Sequence, residues 1–193
     1  MNSVGSKKYN VIRNAIVLFS GGLDSTACIA FYRDIGFDIT PLFIDYRQPA
    51  AREEHVAANS ISKYFGLTLK TIKINHKSII SIGELSGRNA LFVFSALLTS
   101  PSFDGIISLG IHSGTDYYDC SPQFIRDIQR IIDGYSSGKV LVGAPFINWS
   151  KEEIYQYAKN KFLPMDKTYS CENGLEQPCG RCPSCLERSK LEV

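Results

Sequence analysis

Two groups of residues in this chain have types and spacing suited to chemistry. The first is Ser20-Gly21-Gly22-Leu23-Asp24-Ser25-Thr26, at the end of the apolar run "AIVLF" (15–19). A strand feeding such a turn and then a helix leaves a nest of N–H groups at a positive helix end. The glycines allow close backbone approach, and the hydroxyls add donors, so phosphate can be held without a side-chain cation. The segment is not a P-loop, which needs Gly-Lys-Ser/Thr, and G-x-G-x-x-G is absent. Two glycines alone also fit an ordinary strand–turn–helix corner in which Asp24 and Ser25 satisfy the first turn.

The second group is Cys171, Cys179, Cys182 and Cys185, all within fifteen residues. Four thiolates suit tetrahedral Zn²⁺, and two-residue spacings let neighbouring ligands converge on one ion. A closed four-ligand site leaves no position for an activated water, so the metal would be structural. An iron–sulfur cluster is the competing reading. Gly180 eases the turn after Cys179, and a metal here would pin the C-terminal segment over a ligand crevice. The other two cysteines stand alone. Cys28 follows the apolar pattern of a helix and reads as core. Cys120 reads as a packing residue, or as a nucleophile if its pKa is lowered.

These groups need a scaffold. A chain of 193 residues suggests one domain with a small appendage, and 44% hydrophobic residues supply a sizeable core. A net charge of +2 gives no argument for a nucleic-acid or anionic-membrane partner. The polar start "MNSVGSKKYNVIRN" lacks the apolar core of a signal peptide, and no apolar run is long enough to span a bilayer, which points to the cytoplasm. Strands are expected over 15–19, 39–44, 69–74, 105–111 and 139–144, with Pro41 tolerable only near a strand start or at an edge. Helices are expected over 23–35, 50–65 and 89–99, then from Ser121 as N-cap with Pro122 at N1, and from Ser150 with a capping box to Glu153. From Leu163 onward periodicity is lost. The expected domains are a polar extension (1–14), an α/β domain (15–162) and a cysteine-bearing tail (163–193). Strands alternating with helices imply a doubly wound, mostly parallel five-stranded sheet. Ligands then bind beyond the carboxyl ends of the strands, where "SGGLDST", "DYRQ", "GRNA" and "GIHSGTDYYDC" fall.

The full string S-G-G-x-D-S-T resembles the pyrophosphate loop of the ATP pyrophosphatase (PP-loop) superfamily. Its members cleave ATP to AMP and pyrophosphate while adenylating a substrate. Paired with the four-cysteine tail, it resembles the 7-cyano-7-deazaguanine synthase family more closely. "DYRQ" (45–48), "GRNALF" (87–92), "GIHSG", "DCSPQF", "SKEEI" and "SCENGLEQPCGRCPSCLER" look like that family's segments, and Glu53 falls where it has an acidic residue. The resemblance implies ATP-dependent activation of the carboxylate of 7-carboxy-7-deazaguanine, with ammonia giving an amide and a second activation giving the nitrile. It implies that Ser20, Gly21, Gly22, Leu23, Asp24, Ser25, Thr26 and Asp45 hold ATP. Arg88 would contact phosphate or carboxylate, and Asp24, Arg88 and His112 would be catalytic. Asp24 would direct Mg²⁺ or order the loop. Tyr46, Gln48, Asp116, Tyr118, Asp119 and Cys120 would line the deazaguanine site, with Asp119 accepting from the base's amino and ring N–H groups. Tyr117 and Tyr118 would stack on a flat ligand or equally cap the sheet, and the bland alternatives for His112 and Arg88 are a hydrogen-bonded loop histidine and a surface helix start. Cofactors would be ATP, Mg²⁺ and structural Zn²⁺, and the assembly a homodimer.

Some positions depart from that pattern. Gly87 precedes the Arg-Asn pair, Ser86 stands where proline is expected, and Ser121 stands where arginine commonly follows Asp-Cys. The loop between "GIHSG" and "DC" is shortened. Only about a dozen residues (75–86) separate the third strand from Arg88, where the family has a longer insertion. A less covered site suits an alternative acceptor, a protein amine, as in QueC-like variants of bacterial anti-phage systems. PP-loop tRNA modification and nucleotide binding without catalysis are further readings. Near-neutral charge counts against the first, and the intact loop against the second.

Overall fold

The computed structural model describes residues 13–75 and 85–191. Five parallel strands form one sheet in the order β3-β2-β1-β4-β5: β1 Asn14–Leu18, β2 Asp38–Asp45, β3 Lys70–Lys73, β4 Gly105–Ser108 and β5 Val140–Gly143. The helices are α1 Leu23–Asp34, α2 Ala51–Tyr64, α3 Arg88–Leu98, α4 Pro122–Ser136, α5 Lys151–Asn160 and α6 Pro183–Lys190. The doubly wound reading therefore holds, and every strand pair is parallel. Residues 1–12 of the expected N-terminal extension, and 76–84 of the shortened segment, lie outside the described residues.

Period-two alternation along β1 splits the core between the two faces of the sheet. Ala15, Val17 and Phe19 pack with residues of α1, α2 and α5 on one face. Ile16 and Leu18 pack with Val93 and Ala96 of α3 and with Phe124, Ile128 and Ile132 of α4 on the other. Both faces are covered, so the strands read as continuous apolar runs. The chain reverses its strand order between β1 and β4. That switch opens a crevice at their carboxyl ends.

Two expectations are corrected. Pro41 sits in the middle of β2, an internal strand, opposite Val17. The Leu42 carbonyl accepts from the Phe19 N–H on the β1 side, so alternation turns the Pro41 nitrogen toward β3. Pairing with β3 begins only at Leu42–Lys70, so no ladder bond is lost. The tail also contains an unforeseen helix, α6, with Cys182 as N-cap and Pro183 at its start. Both expected caps are present elsewhere. Ser121 Oγ accepts from the Phe124 N–H at 3.1 Å, and Ser150 and Glu153 form the reciprocal box.

Phe146, fully buried, meets the rings of Phe31, Trp149 and Tyr157 where β5 leads into α5. Phe146→Ala is expected to cost about 3–5 kcal/mol by urea denaturation, the cavity term adding to lost transfer energy. A loss below about 1 kcal/mol would show that this junction repacks freely.

Candidate active site

The glycine turn is fixed by close approach. Gly21 has φ +79°, and a Cβ there would lie 2.6 Å from the Ala58 nitrogen and 2.9 Å from the Glu54 carbonyl oxygen of α2. Gly22 is the N-cap of α1. Its carbonyl accepts from Ser25 Oγ at 3.1 Å and from Thr26 Oγ1 at 2.8 Å, while its N–H donates to Ser20 Oγ at 3.3 Å. Thr26 is fully buried and ties the turn from behind. Ser20 and Ser25, 3.4 Å apart through their hydroxyl oxygens, face the crevice.

The cation missing from the turn arrives from another element. Lys151, the first residue of α5, donates from Nζ to Asp24 Oδ2 at 2.6 Å and lies 3.5 Å from Glu187 Oε2 of α6. A lysine at a helix start opposes the helix dipole, so its place there is set by these carboxylates. Among the described residues, Asp24 Oδ1 is buried without a hydrogen-bond partner. An orphaned buried acceptor costs about 1–3 kcal/mol, so this oxygen has the chemistry of one awaiting a ligand donor or a cation.

A cavity of about 530 Å³ opens over the turn. Of the expected site residues, Ser20, Gly22, Leu23, Asp24, Tyr46, Gln48, Arg88, His112 and Cys120 line it. Ser25 joins in an adjoining pocket of about 220 Å³. Gly21 and Thr26 lie behind the turn. Asp45 points its Oδ1 at the Arg47 N–H (3.0 Å), holding the bend after β2. Asp116 and Asp119 are not among the lining residues. Asp119 Oδ2 accepts from the Asn89 N–H at 3.2 Å, and its carbonyl accepts from Asn89 Nδ2 at 2.8 Å, fastening a short 3₁₀ turn to α3. Tyr118 is exposed, its hydroxyl on Asp127 at 2.9 Å, whereas Tyr117 faces the cavity.

Local electrostatics separates the roles these residues can take. Burial raises the Tyr46 and Glu54 pKa values, and Arg88 opposes both shifts. Burial and the neighbouring Asp119 push the Cys120 thiol up to about 11, which keeps it protonated at neutral pH and argues against a thiolate nucleophile. His112 Nδ1 accepts from the Gly114 N–H at 3.0 Å, so the neutral ring carries its proton on Nε2 and offers the cavity a donor. Cys28 is fully buried, its pKa raised by that burial, as a core residue should be.

The tail forms one wall of the cavity, through Tyr169, Glu172, Ser184, Glu187 and Arg188. The Tyr169 N–H donates to the Gly21 carbonyl at 3.0 Å, directly coupling the tail to the glycine turn. Gly174 has φ +65°, and a side chain there would collide with the Pro49 carbonyl. Arg188 donates to the Thr168 carbonyl at 2.8 Å and to the Met165 carbonyl at 3.1 Å. Glu172 Oε1 caps α6, accepting from Ser184 N at 3.1 Å and Oγ at 2.7 Å.

Within this wall the four cysteine sulfurs all lie within 4.8 Å of one another. Backbone N–H groups of Cys179 and Cys182 point at Cys171 Sγ (3.4 Å) and Cys179 Sγ (3.3 Å), and the Asn173 amide points at Cys179 Sγ (3.2 Å). The backbone N–H of Arg181, then that of Cys182 and the Asn173 amide, hold the Cys179 thiol down at about 6. N–H groups aimed at sulfur are the outer shell that a metal-bound thiolate needs. The donor set fits a metal ion.

Comparison with protein families matches the chain to "Queuosine biosynthesis protein QueC" over residues 14–86 and 84–191. The chain belongs to the QueC family. It is 32% identical to 7-cyano-7-deazaguanine synthase 2 of Desulfitobacterium hafniense (strain Y51), covering 93% of this chain and 88% of that protein. It is 30% identical to the 7-cyano-7-deazaguanine synthase of Prochlorococcus marinus (strain MIT 9312), covering 92% of each. The first match runs over 209 residues against the 193 of this chain, so this QueC-family member is a shortened one. Among solved structures, the fold is similar to the U34-tRNA thiolase NcsA of Methanococcus maripaludis with its [4Fe-4S] cluster. That likeness has a TM-score of 0.56 at 15% identity, over 93% of this chain and 64% of that one. Among the described residues no helix is long and apolar enough to cross a membrane.

Lys151, Glu54 and the tail residues are charged or polar cavity groups that sequence reasoning did not assign, whereas Tyr117 lies where a ring could stack on a flat ligand. Lys151 was visible only as part of a helix cap.

The Cys120 environment has a measurable consequence. Because its pKa is raised to about 11, alkylation by iodoacetamide should be slow at pH 7 and accelerate about tenfold per pH unit up to about pH 10. Mass spectrometry of the modified peptide reads this directly. A rate that levels off near pH 8 would place the thiol in a different environment.

Proposed function

We propose that this QueC-family protein is an ATP-dependent ligase that adenylates the carboxylate of a 7-deazaguanine, 7-carboxy-7-deazaguanine, and passes the acyl group to an amine. The observation that carries this reading is the Asp24–Lys151 pair beneath the glycine turn. It sets a fixed cation and an unpartnered carboxylate oxygen beside a nest of backbone donors at the sheet's switch point.

In the first step a substrate carboxylate oxygen attacks the α-phosphorus of ATP, and the bond to the bridging oxygen breaks. Pyrophosphate leaves into the donors of Ser20, Gly22 and Ser25, with Lys151 neutralising charge as it forms. Mg²⁺ would be held at Asp24 and supplies charge neutralisation on the phosphates. Arg88, half-buried across the cavity, suits a carboxylate or phosphate through its forked donors. In the second step the amine nitrogen attacks the acyl carbon, AMP leaves, and the amine loses a proton. The Nε2–H of His112 is a donor for the carbonyl oxygen as charge develops there. A further ATP-dependent dehydration of the amide gives the nitrile.

The cysteine site suits one structural zinc. With Zn–S near 2.3 Å, a tetrahedral ion holds its sulfurs about 3.8 Å apart, in keeping with the spacing here. A four-iron cluster binds each cysteine to a different iron and would spread them further. Metal analysis of purified protein is expected to give about one zinc and no iron per chain. Cys182→Ser should lose the zinc and much of the thermal stability. Iron at cluster stoichiometry would overturn the zinc assignment.

ATP–pyrophosphate exchange tests the activation step. Exchange should depend on 7-carboxy-7-deazaguanine and drop at least 100-fold in Lys151→Met, on the order expected for removing one transition-state charge contact. Product mass spectrometry with and without ammonium then identifies the acceptor. The shortened chain favours testing a protein amine beside ammonia, and a deazaguanine–protein adduct in place of free nitrile would establish that second reading. Absence of exchange with this substrate would sink the assignment.

A further inference from the structure

Among the described residues, four carboxylates line the cavity: Asp24, Glu54, Glu172 and Glu187. Three have evident work. Asp24 and Glu187 flank the Lys151 ammonium, and Glu172 caps α6. Glu54 has no such task. It projects from the first turns of α2 and lines both the main cavity and the pocket beside it. Among the described residues its carboxylate takes one side-chain hydrogen bond, from Gln48 Nε2 to Oε2 at 2.7 Å, leaving acceptor capacity on Oε1.

Its orientation is also fixed. The Tyr46 N–H donates to Gln48 Oε1 at 3.0 Å, and Gln48 Nε2 also reaches the Ile44 carbonyl at 3.4 Å. These bonds decide which end of the Gln48 amide is the donor, so that Nε2 must face Glu54. A buried amide thereby holds a carboxylate as an acceptor toward the cavity. Arg88 attracts Glu54, yet the two are not an ion pair among the described residues.

We infer that Glu54 is the specificity residue for the base. Its carboxylate would receive the adjacent ring N–H and exocyclic amino N–H of a 2-amino-4-oxo-pyrimidine edge, the edge that distinguishes guanine-type from hypoxanthine-type rings. This rests on the deazaguanine reading above. It moves the base-reading role from Asp119, whose carboxylate is occupied by the Asn89 N–H outside the cavity lining, to Glu54 on α2. A carboxylate accepts two parallel N–H bonds, and a ring lacking the amino group forfeits one of them. Adenine offers an acceptor beside its amino group, so the same carboxylate disfavours it at this edge.

The test uses isothermal titration of the full-length zinc-bound protein with 7-carboxy-7-deazaguanine and with its 2-deamino counterpart. Wild type is expected to prefer the amino base by about 10- to 100-fold, the range for a hydrogen bond to a charged group. Glu54→Gln, nearly isosteric, should reduce that preference to less than about threefold while ATP affinity and melting temperature stay near wild type. Glu54→Asp keeps the charge but withdraws the oxygens, and should weaken the amino base while retaining a preference for it. Full discrimination in Glu54→Gln, or equal weakening of ATP and base, overturns the assignment. Failure of the function itself looks different: wild type then binds neither base and shows no ATP–pyrophosphate exchange, which removes both readings together.

Discussion

The site depends on one steric constraint, the contact of the Gly21 backbone with the first turns of α2. With a Cβ at Gly21 only 2.6 Å from the Ala58 nitrogen, no other residue fits without displacing one of the two elements. This contact fixes where β1 ends and which way α1 leaves, and so where the backbone donors of the turn point. It also brings Glu54 to the cavity, because that residue lies within the α2 segment against which Gly21 packs. From the other side the Gly21 carbonyl receives the Tyr169 N–H. A single residue thus sets α1, α2 and the tail relative to one another.

The turn was expected to manage without a side-chain cation, because none follows the glycines. In the folded chain Lys151 provides one, separated from Asp24 by 127 positions. A fixed ammonium and a buried carboxylate oxygen without a partner serve different purposes. The ammonium compensates Asp24 when no ligand is bound, since an unpaired partly buried carboxylate is costly. The free oxygen keeps coordinating capacity that the lysine does not consume.

Much of this was legible in the sequence, for identifiable reasons. The strands and helices of the doubly wound sheet carry strong apolar periodicity, and the helix starts at Ser121 and Ser150 are written in local capping chemistry. Cysteine spacing alone marked the metal site. Three features were hidden because their causes are non-local. α6 has little apolar period and is organised by the cysteine cluster, a proline at its start and Glu172 reaching from before it. Lys151 looked like part of a cap, and nothing within its own helix announces Asp24. Glu54 sat in the charged run "AREEH", where only the Gly21 contact and the Gln48 bond distinguish it from a solvated residue. The adjacent tyrosines show the same limit: the 3₁₀ turn sends Tyr118 to Asp127 and Tyr117 to the cavity, a choice that alternation alone does not make.

The cysteine segment explains how a shortened chain can still wall its cavity. A tail of this length lacks the apolar surface to fold by itself, and segments below about 40 residues usually need a metal or a crosslink. Its own apolar cluster consists of the cysteines and Tyr169. Metal-binding energy would therefore substitute for a core, and the geometry shows what the ordered tail does. It lays Tyr169 on the glycine turn, seats Gly174 against Pro49, and brings Glu187 to Lys151. None of these contacts is at the sulfurs. A metal held there would make a segment with little apolar core of its own into a wall, and that wall reaches Lys151 beneath the glycine turn.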